Sequence, residues 1–510
     1  MATISNFYLA VAVIVLLLLS LSAELLRRRR WLWKKSYGPP TYPIVGCLIA
    51  FYTNRQRLLD WYTQMLAESP TQTIVVERVG ARRTIITANP DNVEYMLKTK
   101  FHNFPKGQPF TAILGDLLGR GIFNVDGELW HTQRKLASHE FTTKSLRELV
   151  LSAIDAEVKG RLLPVLASAA AEARPVDLQD LLRRFAFDTI CNVSLGTDPG
   201  CLGPSLPVSE LAQAFDTASE ISARRAASPV FAVWKMKRAL SMGSERRLKE
   251  AIKLVHGEVM EMIRCKKQGN GNGNDLLSRL ISGGHDEEVI RDMVISFIMA
   301  GRDTTSAALT WLFWLLTQHP QIEKDVIHEI SSTLAKSNPH HSLLFKYESL
   351  KEMKVVKACL SECMRLYPPV AWDSKHAKEE DTLPDGTRVN KGDRVTYFPY
   401  GMGRMEAVWG ENPLEFNPAR WLHLQLQQSK DQGAMMSPYK FPVFQGGPRI
   451  CLGKEMAFIQ MEYVVAAVLE RFQLQPVTTE MPLYVPLLTA HMAGGFHVLV
   501  NERKRRGQII

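Results

Sequence analysis

Phe444-Gln445-Gly446-Gly447-Pro448-Arg449-Ile450-Cys451-Leu452-Gly453, near the end of a 510-residue chain, is the stretch on which the fold turns. Its pattern is F-x-x-G-x-R-x-C-x-G. Glycines let a backbone pass close against a bound group, and a cysteine thiolate is a strong metal ligand. The other cysteines are Cys47, Cys191, Cys201, Cys265, Cys359 and Cys363. The total of seven is odd, with no CxxC pair and no Cys/His set at zinc spacing, so neither a disulfide framework nor a zinc site is expected. A reduced, cytosol-facing body fits, with most of the thiols other than Cys451 acting as inert, buried hydrophobes.

Further motifs lie N-terminal to the loop. Glu362 and Arg365 form E-x-x-R. Ala300-Gly301-Arg302-Asp303-Thr304-Thr305 interrupts a long apolar segment, where polar groups are costly without a purpose and an acid beside an alcohol can relay protons. Trp130 and Arg134 form W-x-x-x-R, whose spacing puts an indole N–H and a guanidinium on one helix face.

In this order the motifs resemble those of the cytochromes P-450. The resemblance implies a mainly α fold, an α-rich triangular domain with small β-sheets, joined to an N-terminal transmembrane helix. It makes Cys451 the axial thiolate on the iron of haem b, where it pushes electron density onto the metal and favours cleavage of dioxygen. Phe444, Arg449 and Gly453 become cofactor-binding positions, with Arg449 on a haem propionate and Trp130 and Arg134 suited to a propionate as well. Asp303 and Thr304 become the catalytic relay, with a small residue before them leaving room for dioxygen. Arg420, in Phe416-Asn417-Pro418-Ala419-Arg420-Trp421, becomes the third member of the Glu362–Arg365 core, although Ala419 stands where the family often has glutamate. In the family that core is a buried, hydrogen-bonded network that serves folding more than catalysis.

A finer resemblance, to plant family 94 of the ω-hydroxylase clan, rests on residues 103–107 (Asn-Phe-Pro-Lys-Gly), 114–124, 138–141 (Ser-His-Glu-Phe) and on Arg302 within the oxygen motif. It implies an NADPH- and O2-dependent monooxygenase acting on the terminal (ω) carbon of a hydrophobic substrate. A fatty acid stands first, with jasmonoyl-isoleucine or C-26 oxidation of a steroid side chain as alternatives. By position, Phe110, Phe123, Phe297, Ala300, Val370 and Leu488 should line the substrate pocket, and a substrate carboxylate needs a partner at its mouth, where several basic residues stand, Lys106 and Arg120 among them, with none singled out. A same-fold lipid-hydroperoxide lyase or isomerase, or a non-catalytic haem protein, would have no use for the Asp303–Thr304 relay.

With 46% hydrophobic and 22% charged residues the chain is a folded protein. Its net charge of +10 is dispersed beyond an N-terminal cluster and lacks interleaved aromatics, which excludes a nucleic-acid groove and suits a membrane or an acidic redox partner. Residues 4–23 are nearly all apolar, enough to span a core of about 30 Å as a helix. Arg27 to Arg30, Lys34 and Lys35 follow, so a single-pass anchor in the endoplasmic reticulum with a cytosolic catalytic domain is expected, and Glu24 and the arginines argue against a cleaved signal. Residues 24–46 read as a basic, proline-rich hinge and 47–510 as the haem-binding domain. Residues 269–274, alternating Gly and Asn, read as a flexible loop that lacks the strand and Lys-Ser/Thr of a phosphate loop. Helical periodicity covers 145–163, 176–195, 245–265 and 286–319, and a short β-like patch covers 73–79 and 84–87. No dinucleotide fingerprint is present, so electrons must come from a separate NADPH-cytochrome P-450 reductase, docking near Arg449 and Lys454.

Overall fold

The computed structural model describes residues 37–503 apart from 43–44, 78–81, 142–143, 229–230, 269–274, 337–343 and 423–435. The expected anchor, most of the hinge and the Gly-Asn loop lie outside the described residues. Among those described, no helix is long and apolar enough to cross a membrane.

Helices dominate. In chain order the ones that build the site are α1 (Gln108–Leu118), α2 (Gly127–Phe141), α3 (Lys144–Glu157), α4 (Leu178–Leu195), α5 (Glu210–Ala227), α6 (Ser244–Gln268), α7 (Glu287–Gln318), α8 (Lys354–Leu366) and α9 (Lys454–Arg471). The α7 helix is the axis of the body. The Asp286 carboxylate accepts from the Glu288 N–H at its start, Glu287 and Glu288 complement its N-terminal dipole, and Pro320 begins a new helix just past its end. Between those ends it is buried nearly all round, from Ile290 to Leu316.

Two expected helices differ at their ends. Val176–Asp177 is a strand paired with His497–Glu502, and only then does α4 begin, because the Asp177 carboxylate turns back to accept the Gln179 N–H at 3.0 Å. The expected helix over 145–163 widens at Val158–Leu162 and resumes at Leu163. Pro164 has no N–H for a regular helical bond, and the wider turn accommodates that lack.

The β-like patch is a hairpin of β1 (Thr73–Val76) and β2 (Thr84–Thr87). It belongs to a four-stranded sheet with β3 (Asp373–His376) and β4 (Arg394–Tyr397), in which β2 runs parallel to β4 and β4 antiparallel to β3. This sheet delivers residues 373–376 and Tyr397 to the site.

Beneath the site lies the charged core. The Arg365 and Glu362 side chains are wholly buried and joined by two hydrogen bonds of 2.8 and 2.7 Å. Arg365 also donates to the carbonyls of Gly403, Pro413 and Glu415. Glu362 accepts from the Asn417 N–H and the Trp421 indole at 3.0 and 2.8 Å. Arg420 is present but peripheral. Its Nε stands 3.5 Å from Glu362 without a hydrogen bond, while its other nitrogens donate to the carbonyls of Trp409, Glu411 and Asn412. Trp421, not Arg420, completes the satisfaction of Glu362. Substituting Arg365→Met leaves a buried carboxylate without its partner and should cost about 3–5 kcal/mol. Chemical denaturation of the purified variant checks this, and a loss under about 1 kcal/mol, the worth of an exposed ion pair, would contradict it.

Candidate active site

Cys451 sits just ahead of the N-terminus of α9, whose first backbone N–H groups point toward the sulfur. The thiol accepts hydrogen bonds from the N–H groups of Gly453 and Lys454. It is solvent-accessible, although enough protein surrounds it that burial is the largest influence and pushes the thiol up. Those N–H donors and the charges of Arg134 and Lys454 oppose that push and favour the thiolate.

The loop holds this position by close contact. The Cys451 N–H donates to the Phe444 carbonyl at 2.8 Å. Gly447 has φ +62°, and a Cβ there would lie 2.0 Å from the Leu97 carbonyl oxygen, so only glycine fits. Phe444 packs on Phe458, with ring centroids 5.3 Å apart. Gly453 leaves open space, since an added Cβ would meet nothing nearer than Phe141 at 3.9 Å.

Arg449, Trp130 and Arg134 come together beside the cysteine. The Arg449 guanidinium lies 4.5 Å from the centroid of the Trp130 ring and donates to Asp126 and the Val125 carbonyl at 2.7 and 2.8 Å. Its side chain is only 9% exposed, so Arg449 is not a surface charge for a docking partner, contrary to the sequence expectation. Lys454 is exposed and keeps that possibility. Lys106 also departs from expectation: it is buried and its ammonium donates to Asp373 at 2.6 Å, so it is not an open receptor for a substrate carboxylate. Arg120 is exposed.

Sequence reading missed the contribution of β3 and β4. Buried Lys375 donates to the other Asp373 oxygen at 2.8 Å, and the Tyr397 hydroxyl joins Asp373 to Gln445 of the cysteine loop. Burial pushes Asp373 up, but Lys106 and Lys375 outweigh it and hold the carboxyl well below its usual range. Burial lowers Lys375 to about 7 despite Asp373. His376 donates or accepts through Nδ1 at the Lys106 carbonyl, 2.6 Å away, and its buried Nε2 has no partner. The signal was available: Asp373-Ser374-Lys375-His376 is a polar run just after Val370, a residue expected in the pocket.

On α7 the Thr304 hydroxyl donates to the Ala300 carbonyl at 2.7 Å, and the buried Oδ1 of Asp303 has no hydrogen-bond partner. Gly301 faces α4, where an added Cβ would lie 2.6 Å from the Ile190 Cδ1 atom. Gly301 therefore serves helix packing. Phe110, Phe297 and Leu488 belong to one apolar cluster with Phe141 and Leu452 of the cysteine loop. Phe297 and Phe141 are in ring contact at 5.4 Å. Ala300 and Val370 are half-buried outside that cluster. Phe123 is 36% exposed and is not in it either, which places Phe123 at a rim and not over the cysteine.

The sequence model of the family Cytochrome P450 matches residues 37–491. This chain belongs to the cytochrome P450 family. It is 58% identical to Cytochrome P450 94B1 of Arabidopsis thaliana over 92% of both chains. With Cytochrome P450 94A1 of Vicia sativa it shares 44% identity over 91% of this chain and 90% of the relative, which puts it in family 94. The fold matches the heme domain of cytochrome P450DA with a TM-score of 0.77 and 21% identity, over 92% of this chain and 97% of that one. The protein is thus a cytochrome P450 monooxygenase, an oxidoreductase.

The residues present fit a haem. Lys106, Lys375, Arg134 and Arg449 stand within electrostatic reach of one another or of Cys451, and among the described residues only Asp126 and Asp373 are paired with them. Four cations against two carboxylates leave a positive surplus of up to two, which a group with two propionates balances. His376, bonded through Nδ1 to the Lys106 carbonyl, has an unpartnered buried Nε2, and Cys451 offers a thiolate for iron.

Because Gly301 is a packing residue, Gly301→Ala should destabilise by about 1–3 kcal/mol through overpacking. Ile190→Ala in the same chain should recover most of that loss. Thermal unfolding of the single and double variants checks the coupling, and additive effects would contradict it.

Proposed function

We propose that this monooxygenase hydroxylates the terminal carbon of a fatty acid. The observation that carries the reading is the apolar cluster of Phe110, Phe297 and Leu488, which abuts Leu452 of the cysteine loop and α7. Such a wall binds a chain without polar handles and excludes water from its end. A terminal methyl is harder to attack than an internal carbon, so regiochemistry has to be imposed by position, and the buried Phe297 ring is placed to do so. The family-94 membership is consistent with this reading.

The overall reaction consumes RH, O2, NADPH and a proton and yields ROH, water and NADP+. Haem, when bound through Cys451, supplies the oxygen activation. The chain's own residues do the rest. Gly453 and Lys454 N–H groups and Arg134 sustain negative charge on the sulfur. Arg449, Trp130, Arg134, Lys375 and His376 would hold the carboxylates of the group, with Lys106 paired to the same Asp373 as Lys375. Asp303 carries a proton to Thr304, whose hydroxyl rests on the Ala300 carbonyl. The same reading places the protein in the endoplasmic reticulum membrane through residues 4–23, with electrons arriving from NADPH-cytochrome P-450 reductase at the face that presents Lys454.

Cys451→Ser should abolish the thiolate-type absorption of the reduced carbon monoxide complex, because an oxygen ligand cannot donate equally. A wild-type spectrum would remove Cys451 from the iron. For the substrate, the full-length enzyme with reductase is offered fatty acids of graded length, jasmonoyl-isoleucine and a hydroxylated sterol. The expected result is the highest kcat/KM for a fatty acid, with the hydroxyl on the terminal carbon. A far higher kcat/KM for either of the others overturns the fatty-acid assignment and leaves the terminal-carbon chemistry intact.

A further inference from the structure

Arg302 is a buried cation with an incomplete set of partners. Its side chain is 6% exposed, and its Nη1 pairs with Asp216 of α5 at 2.7 Å. Its Nε makes no hydrogen bond, and neither does Asp303 Oδ1, although the two are 3.7 Å apart. That is too long for a hydrogen bond and short enough that a small swing of the guanidinium would close it. Two buried atoms of opposite charge that stand as an ion pair without closing to a hydrogen bond need a restraint. Asp216 provides one by taking the other edge of the fork, and the Phe187 ring, 5.2 Å from the guanidinium, provides a surface for it to rest on.

We propose that Asp216 and Arg302 are positioning residues for the proton relay: Asp216 holds the Arg302 guanidinium off Asp303, so that one Asp303 oxygen stays open to carry a proton. The inference rests on reading Asp303 and Thr304 as that relay. Were Arg302 to close to hydrogen-bond distance on Asp303, the tighter pair would favour the charged carboxylate further and withdraw it as a donor. The other charged groups around this cluster are Arg183 of α4, which also donates to Asp216, Glu220 of α5, and His491 of the strand Ala490–Met492. Asp216 is 40% exposed and Arg302 is not, so the carboxylate that sets the arrangement is the one nearest solvent.

The consequence is readable in the products. A timely proton sends the two electrons of NADPH into ROH and water. When it is late, O2, NADPH and a proton give hydrogen peroxide and NADP+ instead. The experiment measures peroxide and alcohol per NADPH across pH for the full-length enzyme with reductase. The probe is dodecanoic acid, or the member of the panel above that turns over fastest. Asp216→Asn is expected to raise the peroxide fraction at least threefold and to move the best-coupled pH lower, with the thiolate spectrum and substrate affinity retained. Asp216→Glu should restore both, and adding Arg302→Gln to Asp216→Asn should bring the peroxide fraction back down, since the cation that closes on Asp303 is gone. An Asp216→Asn enzyme with the wild-type peroxide fraction and pH profile overturns the proposal. Asp303→Asn separates the two readings: if it too couples normally, the relay itself falls, and if it uncouples, only the positioning role falls. If Asp216→Asn and Asp216→Ser both fail to take up haem, the pair is structural and the proposal is likewise overturned.

Discussion

A cysteine sulfur that has to carry negative charge inside a protein is the constraint on which the rest of this structure depends. Burial acts against the thiolate at Cys451 and is the largest influence there. What counters it is geometric: α9 must begin immediately after the cysteine so that the N–H groups of Gly453 and Lys454 reach the sulfur. The preceding loop must then turn sharply enough to bring Cys451 there, which requires positive φ at Gly447 against the Leu97 carbonyl. Gln445 also has positive φ, +62°, without being glycine, and its side chain is tied to Tyr397 of the sheet. The sheet thus fixes a strained residue of the loop that fixes the sulfur.

Charge around the site follows the same logic at larger scale. Burying Lys106 and Lys375 is costly, and Asp373 alone cannot neutralise both. The surplus is tolerable where an anionic group completes it. The Glu362–Arg365 core is different in kind, because every strong acceptor and donor there is matched by the protein, with Trp421 and Asn417 closing the carboxylate and three carbonyls closing the guanidinium. One buried charge cluster is complete in itself and supports the fold. The other is incomplete and serves a ligand.

The difference explains what the sequence could show. Cys451, the E-x-x-R pair and the long α7 helix are legible because each is a local pattern, set by spacing within one element. The β3 contribution is not local: Asp373 acquires its meaning from Lys106, far earlier in the chain, and from Tyr397 on the neighbouring strand. Lys106 was legible as a cation but not as a buried, satisfied one. Phe123 was legible as an aromatic near the pocket stretch, while its position at the rim depends on how the segment after α1 meets α2. Gly301 shows the same limit, since its smallness answers to Ile190 on α4, which no spacing within α7 reveals.

The hydroxyls of α7 add a last condition on its chemistry. Thr304, Ser306 and Thr310 each donate to the carbonyl four residues back, to Ala300, Arg302 and Ser306. Such back-bonds satisfy a hydroxyl in an apolar helix and bend the helix slightly. For Ser306 and Thr310, both buried, satisfaction is sufficient. Thr304 is only part-buried, and its single proton is committed to Ala300, so in this arrangement it can accept a hydrogen bond but has none to give. Passing a proton onward therefore requires the hydroxyl to rotate off the Ala300 carbonyl as it accepts a replacement. That rotation is inexpensive only if the replacement is already at hand. An Asp303 oxygen left open one residue away is placed to provide it, and an Asp303 locked to Arg302 is not.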